Sequence, residues 1–338
     1  MSLTITAKNY KLPLKHPFTI SRYTVTVQDT VIVSISNGAF TGYGEATANP
    51  YYGMKVERLI HAIEGVVDVV QDNQAIHPEA LWYKLEFLLK DNYFALNAID
   101  CAYWDFYAKS KQRTLRSYWS SGLEQLPKTN YTIGIDQVFK MKAKIIEKPW
   151  PIYKIKLGTP DDVKIIRELR HTTDSVFRID ANCSWSVKDA IEKAVQLKAL
   201  HVEFLEQPLK ADDSEGMKIL KKQSVLPVIA DESCQKLEDV ENCAEAFHGI
   251  NIKLMKCGGI TPALKMIKKA RTLGLKVMVG CMTESTIGIS NLVQLAPLLD
   301  YIDADGAMLL ESDIASGVQF QNGNIIFSQG FGSGAKLL

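Results

Sequence analysis

Apolar and polar residues alternate with a two-residue period over 3–11, 25–36 and 42–46, and Asn37-Gly38 separates the last two stretches. Such alternation turns one face of a strand toward a core, and Asn-Gly between two such stretches is a strong hairpin signal. The opening Met1-Ser2-Leu3-Thr4-Ile5-Thr6 belongs to the first stretch. It has no basic segment leading into an apolar run, so no signal peptide is expected. The apolar spacing then changes to the three-and-four repeat of amphipathic helices over 54–71, 78–89 and 97–110. Strands followed by helices predict an α+β unit over residues 1–120.

Beyond that point short apolar runs alternate with helical segments. The runs cover 131–135, 153–157, 176–180, 202–206, 228–231, 249–256, 276–280 and 301–305. Thr159-Pro160 and Thr261-Pro262 each offer an N-cap followed by proline in the first turn, and Gly274 is placed to end its helix. Strands alternating with helices predict a parallel sheet, and eight right-handed crossovers favour a closed (β/α) barrel, here over 121–310. The tail, 311–338, returns to strand character around Asn322-Gly323 and is expected to pack on the first unit.

The balance of 39 Lys+Arg against 38 Asp+Glu leaves a charge of +1, so no basic excess draws the chain to nucleic acid or an anionic membrane. No apolar run approaches the roughly 18 residues of a membrane-spanning helix. The expectation is a soluble, cytoplasmic protein. None of the 6 cysteines forms a C-x-x-C, and they are expected to be free thiols. The glycines of Gly330-Phe331-Gly332-Ser333-Gly334 open no helix and do not make a dinucleotide loop.

Charged residues mark the ends of five consecutive runs: Lys156, Asp180, Glu206, Asp231 and Lys256, spaced 24, 26, 25 and 25 residues apart. A barrel unit of strand, loop and helix takes roughly 25–30 residues, so the spacing puts one charge per unit on the rim where barrel enzymes keep their chemistry. A lone carboxylate at a strand end is more often a helix cap. Three in register repel one another unless a cation joins them, and an all-oxygen set suits Mg²⁺ or Mn²⁺. Asp180, Glu206 and Asp231 are therefore read as a divalent metal site.

Lys154 and Lys156 share one face of their strand by the two-residue period. Lys256 approaches from the opposite side of the rim. Lys253 competes with it for that place, but alternation counted back from Lys256 turns Lys253 the other way. Neighbouring ammonium groups, a dication and burial all disfavour a charged lysine and bring it toward the range of a general base. Two lysines across a metal-bound carboxylate suit inversion of an α-carbon: one removes the proton, and the other returns one on the opposite face.

The segments Lys154-Ile155-Lys156, Asp180-Ala181-Asn182, Glu206-Gln207-Pro208, Ala230-Asp231-Glu232-Ser233 and Lys253-Leu254-Met255-Lys256-Cys257-Gly258-Gly259 resemble the enolase superfamily, muconate-lactonising subgroup. The resemblance spans nearly the whole chain. It implies a modified (β/α)7β TIM-type barrel of the α/β class with an N-terminal α+β capping domain. It also implies Lys156 and Lys256 as acid/base pair, Lys154 as support for the enediolate charge, and Mg²⁺, with Mn²⁺ as the alternative. Asn182 would stand behind the ligands.

Ile302-Asp303-Ala304-Asp305-Gly306 and Gly280-Cys281-Met282-Thr283-Glu284-Ser285 are similar to the dipeptide epimerases, L-Ala-D/L-Glu type. That resemblance implies Asp303 and Asp305 on the ammonium of a dipeptide, Thr132, Cys281 and Met282 beside the substrate, and Glu284 near Lys256. From the residues alone, an Asp pair capping the next turn is an equal reading. Arg22 is a candidate partner for a glutamyl carboxylate and equally fits as a structural arginine, while Tyr51, Tyr52 and Gly53 look like a lid. Cys183 and Ser184 stand where relatives often carry Gln-Gly. The expected partner is a small dipeptide, drawn from cell-wall peptides, with homo-oligomer formation left open. The alternatives are an N-acylamino-acid racemase, an o-succinylbenzoate synthase, a cycloisomerase, or a non-catalytic metal-binding barrel.

Overall fold

The computed structural model describes residues 3–120, 122 and 125–338. Met1 and Ser2 of the alternating start lie outside them, as does Ser121, where the sequence puts the first boundary. Strands β1 (Thr4–Thr19), β2 (Thr24–Ser36) and β3 (Thr41–Thr47) form an antiparallel sheet in that order. Behind it lie helices α1 (Val56–Glu64), α2 (Val67–Asp72), α3 (Pro78–Leu88) and α4 (Tyr93–Ser110). The helix expected over 54–71 is thus two. It breaks at Gly65-Val66, where a glycine costing about 1 kcal/mol relative to alanine meets a β-branched residue. Conversely, α4 starts four residues before the expected 97, because the Asn92 side chain accepts from Ala95 N and caps it there.

Helix α4 lies so close on β3 that side chains do not fit between them. A Cβ at Gly44 would stand 2.0 Å from Ala98 O, and one at Gly42 would stand 2.2 Å from Ala102 O. Both would be contacts with backbone, which cannot swing aside.

The parallel strands are β4 (Tyr131–Ile133), β5 (Ile152–Lys156), β6 (Val176–Asp180), β7 (Val202–Glu206), β8 (Val228–Ala230), β9 (Gly249–Ile252), β10 (Lys276–Gly280) and β11 (Tyr301–Asp303). They pair in sequence order as one eight-stranded sheet, and a parallel bridge between Thr129 and Ile302 closes it into a barrel. Each expected run holds one strand. The largest difference is at 249–256, where the strand stops at Ile252 and Leu254–Cys257 makes a single helical turn.

Inside the barrel Phe204, Ile229, Met278 and Tyr301 pack together. By the two-residue period each shares a face with the residue two positions on: Glu206, Asp231, Gly280 and Asp303. An apolar floor therefore lies under a charged upper layer. The tail forms a hairpin, Gln319–Gln321 with Asn324–Ile326, and returns to α4, where Ser333 N donates to Asp105 Oδ1 at 2.6 Å. All 6 cysteines are free, as expected from the sequence. Among the described residues no helix is long and apolar enough to cross a membrane.

Candidate active site

Asp180 ends β6, Glu206 ends β7 and Asp231 follows β8, and all three are buried. Each offers a carboxylate oxygen within 4.8 Å of the others. Octahedral Mg²⁺ with oxygens at about 2.1 Å needs ligand oxygens about 3–4 Å apart, so the three are grouped closely enough that they could hold one ion. Among the described residues Glu206 Oε2 makes no hydrogen bond, although Lys154 Nζ lies 2.8 Å from it. A buried, under-used anionic oxygen facing two further carboxylates is the donor set a hard dication takes. Burial pushes the Glu206 carboxyl up to about 7 against the pull of Lys154, with Asp180 and Asp231 adding to the rise. At Asp180 and Asp231 burial acts the same way, but lysines win. Lys156 and Lys154 hold Asp180 below the usual carboxylate range, and Lys253 and Lys256 hold Asp231 well below it.

Lys154 and Lys156 both point into the barrel. Lys154 Nζ donates to Glu206 Oε1 at 2.9 Å and Asp303 Oδ2 at 2.8 Å, and Lys156 Nζ donates to Asp180 Oδ2 at 2.6 Å.

On the far side the structure corrects the expectation. Lys253 reaches the cavity: its Nζ lies 2.9 Å from Asp231 Oδ2 and its side chain is 11% exposed. The Lys256 side chain has no exposure, and its Nζ donates to Asp231 Oδ1 at 2.7 Å, to Cys234 O at 2.9 Å and to Asp231 O. The reason is the early end of β9. Asn251 points inward, donating to Glu206 Oε1 at 2.8 Å, so the two-residue period carries Lys253 inward as well. The helical turn that follows swings Lys256 behind the wall. Counting alternation across that turn gave the wrong face.

The cavity of about 820 Å³, part of it open to solvent, is bounded by both sheets. Arg22, Thr132, Asn182, Cys281, Met282, Asp303 and Asp305 line it, together with Lys154, Lys156, Lys253, Asp231, Tyr51 and Tyr52. Asp303 also accepts from Asn130 Nδ2 at 2.7 Å, and Asp305 accepts from the Thr132 main-chain nitrogen. The two acids titrate apart. Burial opposes charge on both, but Lys154 keeps Asp303 ionised, whereas burial and the Asp303 charge push Asp305 up to about 8. Cys281, Asp303 and Asp305 form a second cluster of potential ligand atoms.

Glu284 lies behind the wall rather than on it, accepting from Met282 N at 2.7 Å. Burial and the neighbouring Glu45 raise it to about 8, against the pull of the Met282 main-chain nitrogen and Lys253. Glu45, on β3, accepts from Ser285 Oγ at 2.5 Å and Gly288 N at 2.9 Å, joining the sheet domain to the barrel wall. Sequence reasoning weighed Lys253 but turned it to the other face, and it missed Glu45, Asn130 and Glu232. The Asn251–Lys253 spacing was a usable signal for the first. The others gain their roles only from partners far away in the chain.

Comparison with known proteins agrees with this architecture. Residues 2–117 match the model of the mandelate racemase / muconate lactonizing enzyme N-terminal domain, and residues 138–338 match that of the enolase C-terminal domain-like family. The chain is 54% identical over 336 residues to an L-Ala-D/L-amino acid epimerase of Maribacter sp., covering 99% of each. It is 51% identical over 331 residues to one of Flavobacterium johnsoniae, covering 98% of each. A dipeptide epimerase from Cytophaga hutchinsonii, solved with Mg and the dipeptide D-Ala-L-Val, superposes with a TM-score of 0.94 at 26% identity, covering 100% of this chain and 96% of that one. A capping sheet, a closed barrel and three converging carboxylates over the full length thus agree with family matches across both halves. The chain belongs to the mandelate racemase / muconate lactonizing enzyme family of the enolase superfamily.

Proposed function

We propose that the protein is a Mg²⁺-dependent dipeptide epimerase that inverts the α-carbon of the second residue by two-base proton transfer. The observation that carries this is the pair Lys156 and Lys253. They stand on β5 and directly after β9, four strands apart in a barrel of eight and so on opposite flanks of one cavity, each against a different carboxylate of the same cluster. Asp180, Glu206 and Asp231 would hold the cation, which supplies the positive charge that a substrate carboxylate needs as it takes on the electrons of the α-C–H bond. One lysine, as the neutral amine, takes the α-proton. The other, as the ammonium ion, delivers a proton to the opposite face. Asp231 holds Lys253 charged, so a cation bound by that carboxylate would bring the Lys253 pKa down toward the working range. Lys154, between Glu206 and Asp303, stays charged and faces the developing enediolate.

Asp303 and Asp305 would take the dipeptide's α-ammonium, and Thr132, Cys281, Met282 and Asn182 would shape the walls. In this reading residues 1–120 cap the barrel of 121–310 and residues 311–338 tie the two together. The names of the relatives support an L-Ala-Xaa dipeptide, with L-Ala-D/L-Glu from cell-wall peptides in the cytoplasm as one source.

The test is incubation with Mg²⁺ in D2O of free L-Ala-L-Xaa dipeptides beside N-acetylated amino acids. Deuterium should appear at the second α-carbon of the dipeptides, and D303N should slow the dipeptides at least about tenfold through the lost charge-assisted contact. No deuterium in any substrate refutes an enzyme of this class. Faster exchange of the N-acetyl compounds points to the racemase members of the subgroup instead.

A further inference from the structure

At the end of the cavity nearest the capping sheet lies a charge pair that proton transfer does not use. Arg22, between β1 and β2, donates from Nη2 to Glu232 Oε1 at 2.6 Å, and its guanidinium lies 4.1 Å from the centre of the Tyr51 ring. The Glu232 side chain is 2% exposed. Its Oε1 is also 3.5 Å from Asn182 Nδ2, while Oε2 is buried with no hydrogen-bond partner among the described residues. Burial opposes charge on Arg22, but Glu232 outweighs it and keeps the guanidinium protonated. The arginine is therefore already paired with a buried carboxylate, so the pair offers a substrate side chain no net positive charge.

Glu232 follows β8, and Asp303 ends β11, on another side of the barrel. A dipeptide with its ammonium at Asp303 and Asp305 and its carboxylate at the three-carboxylate cluster would turn its second side chain toward the part of the cavity lined by Arg22 and Glu232. We propose, resting on the epimerase reading above, that Glu232 sets the preference for that side chain: uncharged or hydrogen-bond-donating groups such as amides are accepted, and carboxylates are disfavoured. A carboxylate brought to Arg22 meets the Glu232 charge alongside it and must compete for a guanidinium already paired, whereas an amide of the same shape meets no such repulsion.

L-Ala-L-Gln and L-Ala-L-Glu have the same shape and differ in charge, so the ratio of their kcat/KM values isolates this effect. The native protein should favour Gln by about tenfold or more, the size expected for one contact to a charged group. E232Q keeps the shape, removes the charge and releases Arg22, so the ratio should move toward Glu by at least about tenfold. R22M leaves Glu232 alone and should raise L-Ala-L-Lys relative to L-Ala-L-Gln. A native preference for Glu overturns the proposal, as does a ratio that stays within about twofold in E232Q; should that variant not fold, the native ratio and R22M decide. Turnover of Gln and Glu at equal rates overturns this proposal alone, whereas turnover of no dipeptide at all overturns the epimerase reading and this inference with it.

Discussion

Replacing Lys253 and Lys256 separately by methionine, which keeps most of the side-chain volume, separates a pocket base from a buried strut. Lys256 has no side-chain exposure and supplies hydrogen bonds to Asp231 Oδ1, Asp231 O and Cys234 O. In K256M the Cys234 carbonyl loses its donor, the Asp231 carbonyl keeps only Cys234 N, and Asp231 loses one of its two ammonium partners. Because Asp231 keeps Lys253, the lost charge-assisted bond costs about 1–3 kcal/mol, and the unsatisfied Cys234 carbonyl costs about 1–3 kcal/mol more. A fall in Tm on the order of 10 °C is expected for K256M, since 1 kcal/mol shifts Tm by about 2–4 °C in chains of about 150–250 residues and somewhat less in longer ones.

Lys253 has one strong partner, Asp231 Oδ2, which keeps Lys256 when Lys253 is removed. K253M should therefore cost about 1–3 kcal/mol of stability, the worth of one hydrogen bond to a charged group, and lower epimerisation about 10²–10⁴-fold through loss of an acid/base group. The assay pairs thermal melts with proton NMR of α-hydrogen exchange in D2O, started from L-Ala-L-Xaa and from L-Ala-D-Xaa. K253M should lose exchange from one diastereomer and K156M from the other, because the two lysines face opposite sides of the α-carbon. If K256M melts like the native protein yet loses exchange, or if K253M and K156M lose the same diastereomer, the assignment of Lys253 is refuted.

Two further outcomes follow from the site's electrostatics. Saturating Mg²⁺ should raise stability by about 2.7 kcal/mol at a hundred times its Kd, read as a higher Tm, and D180N should remove most of that rise by deleting one ligand charge. Glu284 is raised to about 8 from an ordinary 4.5 by burial and Glu45, so the folded chain holds its proton more tightly than the unfolded chain does. Its contribution to stability is then full below about pH 4.5 and is lost as pH rises to about 8. Melts between these limits should fall less steeply for E284Q than for the native protein, and equal slopes would remove Glu284 from the account.

The eight apolar runs, the hairpin turns and the register of Asp180, Glu206 and Asp231 were legible because each depends on near neighbours. A two-residue period, an Asn-Gly pair or a repeat of about 25 residues is visible along the chain, and the barrel converts that repeat into a ring. Local chemistry also decided the start of α4, through Asn92, although periodicity alone put it four residues late. The position of Lys253 depended on where β9 stops. The two-residue rule holds only while the strand lasts, and whether Leu254–Cys257 continues the strand or coils is decided by packing against distant parts of the fold. The same holds for the pairing of Arg22 with Glu232, 210 residues apart, and of Glu45 with Ser285, 240 apart. Such contacts join the sheet domain to the barrel, and no periodicity encodes which side chains two separately patterned units will bring face to face.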